Sequence, residues 1–133
     1  MNSTDPIADL FTSLRNASSA RLDAALVPDS RFKQEVLKAL QSEGFIKSFK
    51  TVGSKGAGRK IEVAMAYGPK REKLLNGIKR VSRPGRRVYV GADELAPLMR
   101  QVETPFLSTS RGVFAAARAK SENLGGELLC LAW

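Results

Sequence analysis

The sequence contains no histidine. That removes a His general base, a Ser–His or Cys–His nucleophile pair and imidazole metal ligation. Cysteine occurs once, as Cys130, so neither an internal disulfide nor a Cys-cluster zinc site can form within the chain. A lone cysteine suits a reducing compartment. Aromatic residues are few: six Phe, two Tyr and one Trp. That is too sparse for a stacking platform of the kind that binds single strands without sequence preference. No apolar run approaches the roughly 18 residues of a membrane-spanning helix. Residues 1–10 carry Asp5 and Asp9 and lack the basic-then-apolar order of a signal peptide, so the expected location is the cytoplasm. Neither a Walker-type loop nor a dinucleotide glycine fingerprint is present. The expectation is therefore no catalytic residue, no metal, no cofactor, no small-molecule substrate and no membrane partner.

Acidic residues are the other shortage, 13 against 22 Lys and Arg, giving a net charge of +9. The 133 residues fit one domain or two very small ones, and 43% apolar with 26% charged is ordinary for a folded protein. The charge excess calls for a polyanion, nucleic acid before an anionic membrane surface. Most of it lies in Lys70, Arg71, Lys73, Lys79, Arg80, Arg83, Arg86 and Arg87, with Glu72 alone opposing. A solvated face is one reading of this run. An anion-binding surface is the other, and it is favoured because so many like charges repel one another.

The periodicity predicts an α+β chain. Ile7, Leu10, Phe11 and Leu14 mark a helix from Pro6 to about Ala17, with Asp5 as its cap. Residues 21–27 read as a strand with Leu22, Ala24 and Leu26 on one face. Ser30 caps a second helix carrying Phe32, Val36, Leu37 and Leu40, and Gly44 stops it. Phe45–Val52 and Ile61–Tyr67 read as strands, joined by Gly53–Lys60, which is either a plain hairpin loop or a basic finger touching phosphate. Residues 69–77 form a connector with helical character at Lys73–Leu75. Beyond it, Arg83-Pro84-Gly85-Arg86 predicts a type II turn at the tip of a basic hairpin spanning 78–90. A short helix at Asp93–Met99, a strand from Phe106, a polar turn at 108–112, a helix over 115–122 and a last strand Leu128–Trp133 complete the chain. The expected division is 1–68 as a first domain, 69–77 as a connector and 78–133 as a second domain.

Chemistry concentrates in three places. Ser108-Thr109-Ser110-Arg111-Gly112 offers three hydroxyls, a cation and a Gly that permits close backbone approach. A hydroxyl-rich turn without function has the same composition. Tyr89, two residues after Arg87, is either a core tyrosine or a stacking surface for an unpaired base. Glu127, after Gly125-Gly126, can accept from a base amino group or orient an arginine.

The segments TDPIADLFTSLRNA (4–17), 27–44, KRVSRPGRRVY (79–89), LSTSRGV (107–113) and GGELLC (125–130) occur in the order and spacing of one family. Over nearly its whole length the chain resembles the bacterial small-subunit ribosomal protein S-eight family. The resemblance implies two small packed α/β domains: helix–strand–helix–strand–strand first, then a mainly antiparallel sheet with short helices. It implies primary binding to the central domain of small-subunit rRNA, support of subunit assembly, and a place on the cytoplasmic ribosome beside other small-subunit proteins. For some members it implies repression of their own operon through an mRNA mimic of the rRNA site. Carried onto this sequence, the main RNA surface is Ser108, Thr109, Ser110, Arg111, Gly112, Arg86, Arg87, Tyr89, Gly125, Gly126 and Glu127. A secondary contact falls on Thr4, Asp5, Arg15, Asn16 and Lys33. The chain departs from the family at 100–106, where Gln101, Glu103, Pro105 and Phe106 are unusual, and at Phe114-Ala115-Ala116, where the usual hydroxyl cap of the last helix is missing. The rival readings are a DNA-binding regulator that inserts the hairpin 78–90 into a groove as a two-stranded ribbon, and a carboxylate-and-metal nuclease.

Overall fold

The computed structural model describes residues 6–54 and 58–133. Thr4, Asp5 and the expected Asp5 cap lie outside the described residues, as do Lys55, Gly56 and Ala57 of the 53–60 loop. The fold is α+β, in two units, Ile7–Asn76 and Gly77–Trp133, with Pro6 grouped with the latter.

From Ile7 the first unit contains helix α1 (Pro6–Ser19), whose buried stripe is Ile7, Leu10, Phe11 and Leu14. It ends as Arg21 takes a left-handed φ of 53° and the Leu22 N–H donates to Ala17 O at 2.9 Å. Strand β1 (Ala24–Pro28) leads to helix α2 (Arg31–Ser42). Ser30 Oγ accepts from Lys33 N at 3.1 Å at the start of α2. At its end Gly44 (φ 82°) donates to Gln41 O at 3.0 Å, and Phe45 N donates to Leu40 O at 3.1 Å. A positive φ there is why glycine stops this helix. Strands β2 (Ile46–Val52) and β3 (Lys60–Met65) complete an antiparallel sheet in the order β1-β3-β2.

Register decides which face of β1 is buried. Ala25 opposes Val63 and Val27 opposes Ile61, so the odd positions share the phase of the buried Ile61 and Val63. Val27 is 1% exposed, whereas Leu26 is 63% and Leu22 52% exposed. The expected strand 21–27 is thus corrected in extent, and of its expected apolar face, Leu22, Ala24 and Leu26, both leucines are exposed. Tyr67 lies beyond β3. It bridges to Lys73, and its hydroxyl donates to Leu22 O at 2.5 Å. The expected helical character at Lys73–Leu75 is absent, because Arg71 adopts φ 61° and Gly68 N closes a turn onto Glu72 O.

The second unit contains β4 (Ile78–Arg80), β5 (Tyr89–Val90), a 3-10 turn (Ala92–Glu94), α3 (Leu95–Leu98), β6 (Thr104–Thr109), β7 (Gly112–Ala115), α4 (Ala116–Ser121) and β8 (Gly126–Ala132). Its antiparallel sheet has the order β4-β8-β6-β7, with β5 also on β8. Leu95, Leu107, Phe114, Ala116, Ala119 and Leu128 form its core cluster. The divergent segment resolves into bends followed by β6, in which Pro105 opposes Leu131 and Phe106 is fully buried. Strand β7 was not expected. It takes up Ala115, and α4 starts at Ala116 with no side-chain cap. Cys130 is buried, which pushes its thiol up to about 12 and leaves no reactive thiolate near neutral pH.

The basic hairpin does not form. Ile78 opposes Ala132, Arg80 opposes Cys130, Tyr89 opposes Glu127 and Val90 opposes Gly126. Both segments therefore run in the same direction along β8, and residues 83–87 leave that line as a loop. Arg83 N donates to Arg86 O at 3.0 Å and Arg86 N to Arg83 O at 2.9 Å. Gly85 is not among the positive-φ glycines, so the turn is not type II.

Candidate nucleic-acid interface

β8 organises the site. Tyr89 on β5 and Ser108 on β6 both oppose Glu127 of β8. Directly opposed residues point to the same face with Cβ atoms about 5 Å apart, so Tyr89, Glu127 and Ser108 form one row across three strands. The next row, Phe114–Leu107–Leu128, belongs to the core cluster with Leu95, Ala116 and Ala119. Side chains alternate between faces, so the Tyr89–Glu127–Ser108 row lies on the side away from α3 and α4. Tyr89 is 69% exposed and hence not a core tyrosine.

Two glycines allow this close packing. A Cβ on Gly126 would lie 2.2 Å from Ser108 O, and one on Gly125 would lie 2.6 Å from Val90 O. Gly125-Gly126 is thus a packing requirement that brings β8 against β6 and the end of β5. The hydroxyl segment is a hairpin between β6 and β7. Thr109 Oγ1 donates to Gly112 O at 2.8 Å and accepts from Arg111 N at 3.1 Å. Gly112 has φ 130°, which a larger residue resists. Thr109 therefore shapes the turn, and Ser110 and Arg111 at its tip are exposed. Arg111 reaches Glu122 at 3.6 Å with its side chain 70% exposed.

Arg86 and Arg87 are exposed on the 83–87 loop, next to Tyr89. Arg87 Nη1 donates to Glu127 Oε2 at 2.9 Å, and the same oxygen accepts a short hydrogen bond from Ser82 Oγ. Burial acts to raise the Glu127 pKa. The hydrogen bonds from Ser82 and Arg87, with the charges of Arg87 and Arg80, outweigh it and leave the carboxyl below its ordinary value. Glu127 is therefore ionised and already engaged. Of the two roles read from the sequence, orienting an arginine is the one its contacts serve. Ser82, buried and central to this network, was missed. Its signal was the period-2 phase it shares with Ile78: a buried hydroxyl there needs partners.

The basic run is split. Lys70, Arg71 and Lys73 belong to the first unit, Lys79 to Arg87 to the second. Arg71 is occupied internally, at 3.1 Å from Asp23 Oδ1, 3.0 Å from Arg21 O and 4.6 Å from the Tyr67 ring centre. In the first unit Arg15 and Asn16 are exposed near the end of α1. Lys33 differs from expectation: it is 5% exposed, and its ammonium donates to Pro28 O at 3.3 Å. Among the described residues no group of three His, Cys, Asp or Glu could hold a metal, and no helix is long and apolar enough to cross a membrane.

This arrangement can hold a phosphate backbone with exposed guanidinium groups and offer an aromatic face, backbone groups and hydroxyls to irregular bases. Residues 5–133 match the family described as Ribosomal protein S8. Three relatives, each named small ribosomal subunit protein uS8, come from Caldicellulosiruptor bescii, Syntrophobacter fumaroxidans and Thermus thermophilus. They are 40%, 44% and 42% identical to the chain, covering 97%, 98% and 98% of it and 97%, 98% and 99% of their own lengths.

Proposed function

The chain belongs to the ribosomal protein S8 family, and on that premise we propose that it is a non-catalytic component of the small ribosomal subunit that binds the central domain of its rRNA and supports assembly. The observation that carries the reading is the row Tyr89–Glu127–Ser108, flanked by the Arg83–Arg87 loop on one side and the Ser110–Arg111 tip on the other. Exposed arginines give affinity for phosphate without regard to sequence. Tyr89, Ser108 and Ser110 discriminate, by stacking and hydrogen bonding on bases that a regular A-form helix would hide. Arg15 and Asn16 give a secondary contact. Lys33 is left out of it, because its ammonium is used inside the first unit. Neighbouring small-subunit proteins cover other surfaces on the cytoplasmic ribosome, and the same RNA surface serves for an operon mRNA that mimics the rRNA site.

The DNA-binding reading needed a two-stranded basic ribbon. Residues 78–90 instead lie as one interrupted strand on β8, which leaves that reading without its reading head. Competition between a central-domain rRNA fragment and duplex DNA at matched salt tests the choice. The rRNA fragment is expected to win by at least tenfold, and Ser110→Ala to weaken rRNA binding several-fold with the fold intact. Preference for duplex DNA overturns the proposal.

A further inference from the structure

The loop 83–87 interrupts a strand that otherwise continues along β8. Ser82 N donates to Leu128 O at 3.1 Å, and Leu128 N donates to Val88 O at 2.8 Å. Ser82 and Val88 thus share the peptide groups of one residue, and the five residues between them are looped out. This geometry deprives Val88 N–H of a strand partner. Ser82 Oγ accepts from it at 3.2 Å and donates onward to Glu127 Oε2, which also holds Arg87 Nη1 at 2.9 Å. One hydroxyl therefore closes the base of the loop and, through a carboxylate, fixes the guanidinium that leaves it. Ser82 is 0% exposed, so it touches no RNA itself.

We propose that Ser82 is a positioning residue for the RNA surface: by clasping Val88 and Glu127 it holds the Arg87 guanidinium, at the end of the 83–87 loop, where it meets phosphate beside Tyr89. The loop requires such a device. Arg83, Arg86 and Arg87 repel one another within five residues, and Arg80 lies just before them. Glu127 supplies an opposing charge, 2.9 Å from Arg87 Nη1. A hydroxyl on Cβ is both a good acceptor and a good donor and so serves Val88 and Glu127 together, which favours Ser or Thr at this position. The inference rests on the rRNA-binding reading for its consequence, although the clasp is a property of the free protein.

The test uses the full chain, a central-domain rRNA fragment and a salt titration. Ser82→Ala is expected to weaken binding about tenfold. It should also flatten the log–log salt slope by the same amount as Arg87→Ala, on the order of 0.7–0.9 for one phosphate contact. Ser82→Thr should restore both. In the Arg87→Ala background, Ser82→Ala should add no more than about twofold, because both act through one contact. A parent-like slope for Ser82→Ala, or losses that multiply, overturns the inference. If the parent itself shows no preference for rRNA, the functional reading fails instead, and the clasp is judged in the free protein. There the Glu127 carboxyl resonance should titrate at higher pH in Ser82→Ala than in the parent, and an unchanged titration overturns the positioning role. If Ser82→Ala does not fold, Glu127→Gln carries the test. It removes a negative charge, so unassisted electrostatics would steepen the salt slope, whereas loss of positioning flattens it.

Discussion

Replacing Gly126 with alanine places one methyl group where two strands meet. The added Cβ would lie 2.2 Å from Ser108 O, 2.9 Å from Ser108 C and 3.2 Å from Thr109 Cα. A carbon–oxygen contact normally settles at about 3.3–3.6 Å, so β6 and β8 must separate by about 1 Å. The obstructing atoms are backbone, and no rotamer change relieves them. Overpacking costs about 1–3 kcal/mol, and opening the Ser108–Glu127 pairing loses a hydrogen bond worth about 1 kcal/mol more. The expected destabilisation is about 3 kcal/mol, against which the reduced freedom of the unfolded chain returns less than about 1 kcal/mol. Urea unfolding followed by the fluorescence of Trp133, which packs over Gly77 in the same unit, measures it. Gly85→Ala is the control: its Cβ meets nothing within 4 Å, and its φ is not in the left-handed region. It should remain within about 0.5 kcal/mol of the parent. A Gly126→Ala protein as stable as the parent would refute the close approach of β8 to β6.

Tyr89→Ala should leave stability within about 0.5 kcal/mol, because the side chain is mostly exposed, yet weaken rRNA binding by about 1–3 kcal/mol as a stacking surface is lost; thermal melts and filter binding separate the two. Phe106→Ala should cost about 3–5 kcal/mol in denaturant unfolding, since Phe106 is fully buried. Ser30→Ala removes the acceptor for Lys33 N and should cost about 1 kcal/mol in unfolding of the first unit. For Glu127 the folded carboxyl sits below its ordinary value of 4.5. Its contribution is therefore complete above about pH 4.5 and is lost as pH falls through the folded value. The difference in melting temperature between the parent and Glu127→Gln should accordingly shrink on acidification below pH 4.5, and a constant difference would contradict the ion pair.

Local signals were legible where side-chain period or a cap decides structure. The stripe Ile7–Leu10–Phe11–Leu14, the Ser30 cap and the Gly44 stop all take the expected form, because each depends on residues within one or two turns. What failed depends on partners distant in sequence. Leu26 faces outward because Val27 falls opposite Ile61, and nothing in residues 21–27 encodes that register. Residues 78–90 look like a hairpin because Pro84-Gly85 marks a turn. Whether the flanking strands pair with each other or with a third strand is decided by β8, about 40 residues later. The site divides in the same way. Tyr89, Ser110 and Arg87 stand out by residue type, whereas the buried hydroxyl of Ser82 acquires its meaning only once Val88 and Glu127 are beside it.

We propose that one face of the second sheet reads RNA. Chemical-shift mapping of the labelled full chain with a central-domain rRNA fragment tests it most directly. The largest backbone shifts should fall on Arg86–Tyr89, Ser108–Gly112 and Gly125–Glu127. Arg15 and Asn16 should follow at higher RNA concentration, and Lys33 should stay unmoved. Shifts centred on the α3 and α4 side of the sheet, or an identical pattern with duplex DNA, would contradict it.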